Sequence, residues 1–294
     1  MLRRAIRHIF TGGRKHCVRI VNGTVPDNGA GKAVMRSGDL THPSAATRRR
    51  WLIGVAVLVA VASGLVYLIY GQILNYEILS ADAESIATIP RLARYADNLA
   101  RPAWAQHCAS CHGADLKGDP KRGVPDLTDG DWLYGSGKVA QIEYTITYGV
   151  RSGNPKARNL AFMPSFAHPN DDKEKLSPLG PGEIKDVIAY LFSLAGRKAD
   201  PAAAARGAGL YADKGACFDC HAPDARGDHD IGAPDLADRI WLYGDGSQAS
   251  VFQSIQYGRA GTCPAWSGRL RPAVIRALAV FIQERSQFKI ARNP

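Results

Sequence analysis

The sequence predicts an all-α protein in which one membrane-spanning helix precedes two copies of a small helical domain. Three observations support this fold class: an uncharged apolar run of twenty residues from Trp51 to Tyr70, an internal repeat with an offset of 109 residues, and an amphipathic helical pattern that ends each copy. We find no convincing strand-like alternation of apolar and polar residues. The expected division is a basic cytoplasmic tail over residues 1–50, a transmembrane helix over 51–74, a linker over 75–100, and domains over 101–198 and 199–294.

The net charge of +10 is concentrated in the N-terminal tail. Residues 1–50 contain eleven Lys/Arg and two Asp/Glu, so they carry +9, and the remaining 244 residues carry only +1. A nucleic-acid-binding protein would need a basic face on a folded domain, and the sequence offers no sign of one. We therefore expect no nucleic-acid partner, and a charged tail beside a membrane fits the composition better.

The apolar run has the length and flanks of a transmembrane helix. About twenty apolar residues span the hydrocarbon core of a bilayer, and Trp51, Tyr67 and Tyr70 stand near the ends, where aromatic belts lie. Arg48–Arg50 precede the run, which places the N-terminus in the cytoplasm and residues after about 75 outside. A cleaved signal peptide would have a shorter preceding region and a shorter apolar run. The Arg-rich start leaves a mitochondrial presequence as a further alternative.

The repeat aligns the two halves of the remaining chain. Each copy ends in a helix with apolar residues at three-four spacing, and a copy of about 95 residues buries limited surface. A large apolar cofactor would supply the missing core. The copies then differ by nine residues before a shared sulfur-proline element, which is Met163-Pro164 in the first copy and Cys263-Pro264 in the second. The matched pairs include Cys108 with Cys217, Cys111 with Cys220, His112 with His221, Pro125 with Pro234, Trp132 with Trp241, and Tyr148-Gly149 with Tyr257-Gly258.

The motif C-x-x-C-H occurs once in each copy, as C-A-S-C-H and C-F-D-C-H. This is the attachment signature of c-type haem, because the two thiols can reach the two vinyl groups of one porphyrin and the adjacent histidine then lies under the iron. A disulfide is an alternative use of C-x-x-C, and a zinc site would need further paired ligands that are absent. We therefore predict two covalently bound haem c groups. They are attached at Cys108 and Cys111 and at Cys217 and Cys220, with His112 and His221 as axial ligands.

The second axial ligand of each haem is expected in the sulfur-proline element. Met163 lies about fifty residues after His112, and since Met1 and Met35 fall in the tail it is the methionine available to a haem. We predict it as the distal ligand of the first haem rather than a buried core residue. Cys263 occupies the equivalent place for the second haem. A thiolate ligand, which would lower the potential, is favoured over a free thiol beside five-coordinate or water-bound iron and over ligation by His229.

The motifs resemble those of a known family. P-D-L, D-W-L-Y-G, Y-G-V-R-S-G and M-P-S-F in the first copy, with G-A-P-D-L, I-W-L-Y-G, Y-G-R-A-G and x-P-A-W in the second, resemble the dihaem subunit of cbb3-type cytochrome c oxidases, CcoP or FixP. The resemblance covers residues from about 100 to 290 and implies two tandem class I cytochrome c domains after a membrane anchor. It also implies that Pro125 and Pro234 supply carbonyls that orient the proximal imidazoles. Cys263 departs from the family pattern, which has methionine there.

The resemblance implies an electron-transfer subunit rather than a chain that is catalytic by itself. Such a subunit takes electrons from a soluble cytochrome c or the quinol-oxidising complex and passes them towards the haem–copper site in aerobic respiration. Its partners would be the oxidase core, a monohaem cytochrome subunit and the lipid bilayer, with haem domains in the periplasm of a bacterial cytoplasmic membrane. Two alternatives stay open: a thiosulfate-type sulfur-compound oxidoreductase with Cys263 at the substrate site, and a gas-binding haem protein if Cys263 is not a ligand.

Overall fold

The computed structural model describes residues 44–168 and 177–290, with side chains up to residue 286, so almost all of the expected basic tail lies outside the described residues. The described part is helical and contains isolated bridges but no strand, which confirms the predicted all-α class. A short 3-10 turn covers Ala83–Thr88. The helices are α1 (Ala45–Ser80), α2 (Pro90–His107), α3 (Ala109–His112), α4 (Val139–Tyr148), α5 (Pro181–Leu194), α6 (Pro201–Ala212), α7 (Phe218–His221), α8 (Gln248–Tyr257) and α9 (Pro272–Ile290).

Helix α1 is longer than a membrane requires. Its 36 residues correspond to about 54 Å at 1.5 Å per residue, against about 30 Å of hydrocarbon. Its side chains from Trp51 to Tyr70 are exposed, whereas Leu74 and Ile78 are buried. Among the described helices it is the one that is long and apolar enough to cross a membrane. Its last turns join the protein core, and the expected linker over 75–100 is largely helical.

Two hydrophobic cores lie in the part of the chain after α1's apolar stretch. The first core joins α2 and α4 to α9, with Trp104 packed on Phe281 at 5.8 Å between ring centroids. The second core joins α5 to α6 and α8. The closing helix of each repeat therefore packs in the core of the other repeat.

The repeat predicts a helix at the end of each copy, which is observed, but it does not predict that the two helices are exchanged. The amphipathic pattern defines which face of a helix is buried but does not identify the element that covers it. Because the two copies present equivalent faces, exchanging the closing helices conserves the kind of contact that each makes, as in domain swapping.

The chain crosses between the two cores directly after α4 and α8. The backbone N–H groups of Val150 and Cys263 each donate to the carbonyl of the other, both at 2.9 Å, and Met163 and Arg259 form the same reciprocal pair at 2.9 Å. Trp266 donates its N–H to the carbonyl of Ile146 at 3.1 Å. The sulfur-proline element of each repeat is thereby fixed beside the helix of the other.

Candidate haem-binding sites

The attachment motifs form the two shortest helices described, α3 and α7. All five described cysteines are free of disulfides. Burial raises the pKa of Cys108 to about 11 and that of Cys217 to about 12. Burial thus disfavours the thiolate form of both side chains, and their spacing fits thioether bonds with a porphyrin.

His221 is oriented by its neighbours for metal binding. Its Nδ1 lies 2.9 Å from the carbonyl oxygen of Pro234, and since a carbonyl can only accept, Nδ1 carries the proton and Nε2 keeps a free lone pair. Burial lowers the pKa of the ring and the Pro234 carbonyl opposes that shift. Gly227, at φ +80°, makes this approach possible, because a Cβ there would lie 2.6 Å from the Pro234 carbonyl oxygen.

His112 has the same surroundings but an incomplete hydrogen bond. Burial lowers the pKa of its ring and the carbonyl of Pro125 opposes the shift, yet Nδ1 is buried without a hydrogen bond of acceptable geometry. Gly118, at φ +68°, leaves room for the Pro125 carbonyl, because a Cβ at position 118 would lie 2.6 Å from the carbonyl carbon of Pro125. An unpaired buried nitrogen is costly. A small rotation of the ring would complete the bond that His221 makes in the second site.

These observations show that both sites fit a haem c group. Each offers two free thiols, a partly buried imidazole whose pKa is lowered by burial, and a proline carbonyl that faces its Nδ1. A second polar contact holds the turn after each histidine: Trp104 Nε1 donates to the carbonyl of Gly113 at 3.1 Å, and the Tyr211 hydroxyl donates to that of Ala222 at 2.7 Å.

Each sulfur-proline element lies beside the attachment motif of the other repeat, whereas the sequence analysis expected it beside the motif of its own repeat. Met163 packs against the second core, together with Cys217 and Trp241. The thiol of Cys263 lies close enough to those of Cys108 and Cys111 for charges on them to interact, and burial, followed by the effect of Cys111, raises its pKa to about 11. The physical reason is the crossing after α4 and α8, which carries each element to the other repeat.

The neighbours of Cys263 agree with this placement. The ring of Trp266, three residues further on, lies 5.0 Å from that of His107, which ends the helix before the first attachment motif. Phe166 holds the matching position after Met163 and is buried in the second core. His229, the other alternative ligand, is exposed.

The sequence reasoning matched Gly149 with Gly258 without giving them a role, and it missed the other two glycines that shape the sites. Gly118 and Gly227 have positive φ and admit the proline carbonyls, and Gly149 and Gly258 have positive φ where the chain crosses. Both pairs lie at the repeat offset of 109 residues, so a signal was present. The contacts of Trp104 and Tyr211 had no such signal, because these residues differ in type and are not 109 positions apart.

Two haem attachment sites, each in a small helical core that follows an apolar helix long enough to span a membrane, define a membrane-anchored dihaem c-type cytochrome. The family model described as "Cytochrome c" matches residues 100–195. The model described as "Cytochrome C oxidase, cbb3-type, subunit III" matches residues 202–282.

Relatives identify the family to which the chain belongs. The CcoP subunit of Cereibacter sphaeroides is 35% identical over 71% of this chain and 68% of the relative. The FixP subunit of Bradyrhizobium sp. is 39% identical over 69% and 66%, and the CcoP subunit of Rhodobacter capsulatus is 38% identical over 70% and 68%. The chain thus spans about two thirds of these relatives. It belongs to the CcoP/FixP family of cbb3-type cytochrome c oxidase subunits, and its two cytochrome c domains hold two covalently bound haem c groups.

Proposed function

We propose that this protein is the membrane-anchored electron-transfer subunit of a cbb3-type cytochrome c oxidase. The observation on which the proposal rests is the pair of attachment motifs, each ending in a partly buried imidazole, in a chain of the CcoP/FixP family. The haem groups supply the one-electron chemistry, and the protein fixes their ligands and surroundings. Electrons would come from a soluble cytochrome c or a quinol-oxidising complex and leave towards the oxidase core and its monohaem subunit.

The proposed orientation follows from the residues that precede α1. Arg48–Arg50 immediately before the apolar run favour a cytoplasmic N-terminus in a bacterial cytoplasmic membrane. Both haem domains follow α1 and would then lie in the periplasm, where a soluble donor can reach them.

The proposed axial ligands come from different repeats. His112 with Cys263 would hold the first iron, and His221 with Met163 the second. The supporting observations are the position of Cys263 beside the first pair of thiols and the packing of Met163 in the second core. To ligate as a thiolate, the Cys263 thiol would release its proton when it binds iron.

This ligand arrangement would make the two haems unequal. A thiolate donates more electron density to iron than a thioether, so it stabilises the ferric state and lowers the potential. The first haem would then be the low-potential centre and the second, with Met163, the high-potential centre. The relatives give no support to the sulfur-compound oxidoreductase or to the gas-binding alternative.

Low-temperature EPR of the oxidised full-length protein tests the ligand assignment. We expect a low-spin thiolate signal that disappears in Cys263→Met and persists in the matched control Met163→Ala. Removing the first attachment site, with Cys108→Ser and Cys111→Ser, should abolish this signal, whereas Cys217→Ser with Cys220→Ser should retain it. Persistence of the thiolate signal without the first site would contradict the pairing between repeats. A high-spin signal in the unaltered protein, with carbon monoxide binding after reduction, would favour the gas-binding alternative.

A further inference from the structure

The first repeat carries an extension that the second lacks. Between the Tyr-Gly pair and the sulfur residue, the segment that ends at Met163 is nine residues longer than the one that ends at Cys263. The extension places two large apolar side chains in solvent next to the proposed ligand Met163: Leu160 is 78% exposed and Phe162 is 51% exposed. Outside α1, no other large apolar side chain in the described residues is as exposed as Leu160. Adjacent exposed apolar groups mark an interaction surface more often than single ones do.

The extension is held in place by its own polar contacts. The hydroxyl of Tyr144 donates to the carbonyl of Lys156 at 2.8 Å, and Nε of Arg158 donates to the hydroxyl oxygen of Thr145 at 2.8 Å. The guanidinium of Arg151 donates to the carbonyl of Ala161 at 2.8 Å. A surface that is already ordered loses little conformational entropy when a partner binds.

The extension itself carries only positive charges, and Asp230 of the second repeat interacts with one of them, Arg158. The segment 150–162 contains Arg151, Lys156 and Arg158 and no acidic residue. Arg259 lies on the facing segment, with its backbone paired to Met163. Protein surfaces that associate have complementary potentials, so the matching partner has an apolar centre with an acidic rim.

The extension lies between the two cores. Lys156 and Arg158 contact Tyr144 and Thr145 of α4, which packs in the first core, whereas Met163 at the end of the extension packs against the second core. The side chains of Lys156, Leu160 and Phe162 are exposed to solvent, so a water-soluble partner can reach them.

We propose that Leu160, Phe162 and Lys156 form the docking surface for a soluble electron-carrier protein with an acidic rim. The carrier would transfer one electron from its reduced centre to the ferric iron of the haem beside Met163, and no atom or proton is exchanged. This inference rests on the proposed function and assigns the site at which electrons enter.

Stopped-flow reduction of the full-length protein in detergent tests the docking surface. The probes are a reduced c-type cytochrome of net negative charge and, for comparison, reduced basic mitochondrial cytochrome c. We expect Leu160→Ser with Phe162→Ser to lower the second-order rate constant with the acidic probe by about tenfold. Leu194→Ser, at another exposed leucine (38%), is the matched control and should leave the rate unchanged. Lys156→Glu should slow the reaction at low salt, and the difference should shrink as ionic strength screens it.

Other readouts separate a docking defect from a defect at the haem. Reduction by ascorbate and the methionine–iron charge-transfer band should be the same in all variants. An unchanged rate in the double variant, or faster reaction with the basic probe, would overturn the proposal. So would loss of association with the oxidase core at an unchanged carrier rate, because the surface would then be a subunit interface. Failure of the proposed function would instead be visible in the unaltered protein, which after reduction would pass no electrons to the oxidase core.

Discussion

Replacing one glycine at each crossing point should disturb one haem at a time, and the haem affected identifies how the chain is connected. Gly149 precedes the extension in the first repeat, and Gly258 holds the same position in the second. A Cβ at Gly149 would lie 2.8 Å from the backbone nitrogen of Ala265 and closer still to the carbonyl oxygen of Cys263. A Cβ at Gly258 would lie 2.6 Å from the carbonyl carbon of Pro164 and closer still to the carbonyl oxygen of Met163.

The cost of each substitution has two parts. Gly149 has φ +76° and Gly258 φ +70°, and an L-residue in the left-handed region costs roughly 1–2 kcal/mol. The close contact adds overpacking of roughly 1–3 kcal/mol, so the free energy of unfolding should fall by roughly 2–5 kcal/mol. Gly153→Ala is the matched control, since its φ is +82° but a Cβ there meets nothing within 4 Å. It should show the backbone part alone.

Urea unfolding gives the stability changes, and EPR with the methionine–iron absorption band reports each haem separately. We expect Gly149→Ala to weaken the thiolate signal and to spare the methionine band, and Gly258→Ala to do the reverse. The opposite pattern, in which Gly149→Ala removes the methionine band and Gly258→Ala removes the thiolate signal, would refute the crossing. A loss of stability in Gly153→Ala as large as in the other two would refute the role of the close contacts.

Three further outcomes follow from the packing and the charges. Leu278→Ala and Ile188→Ala, at side chains 0% and 1% exposed, should each cost about 2–5 kcal/mol in urea unfolding, with Leu278→Ala broadening the signals of the first haem and Ile188→Ala those of the second. Hydrogen bonds from basic side chains of the second repeat lower the pKa of Glu183 and Asp186 in α5. The stabilisation of the fold by these ion pairs is therefore present above the ordinary carboxyl range and is lost as pH falls below about 4. The unfolding midpoint of Asp186→Asn should therefore change less with pH than that of the unaltered protein. Gly227→Ala should displace the Pro234 carbonyl from His221 and thereby make the imidazole less basic. A redox titration should then show the potential of the second haem raised by up to about 59 mV, which corresponds to a tenfold shift in the equilibrium between its oxidation states.

The motifs were predictable from the sequence because their chemistry is local. C-x-x-C-H fixes two thiols and an imidazole within five residues, and the contact between His221 and Pro234 that the resemblance implied is present at 2.9 Å. The apolar run similarly predicts a helix from its own residues, although α1 extends beyond the expected span to Ala45 and Ser80. For these features no information from distant parts of the chain is needed.

The connection between the repeats was not predictable, because it depends on residues more than a hundred positions apart. The apolar positions of α9, such as Leu278, fit either repeat's core equally well as a pattern. The choice is made at a few backbone pairs, such as Val150 with Cys263, which leave no mark on composition or periodicity. Glycines at equivalent positions indicated that the backbone is constrained there but not which segment lies against it.

The crossing gives the difference between Met163 and Cys263 its functional meaning. In two repeats with reciprocal packing, the sulfur residue proposed as distal ligand and the nine-residue extension are the main sequence features that distinguish the two sites. Met163 is delivered to the second core, at the end of an extension that lies against α4 of the first core. The high-potential haem and the exposed docking surface would then coincide, while the thiolate haem would lie in the core joined to α1. An electron that enters from a soluble carrier would meet the more oxidising centre first, and its onward transfer to the thiolate haem would be uphill. We therefore expect the second haem to exchange electrons with partners directly and the first to be reduced only by a stronger donor.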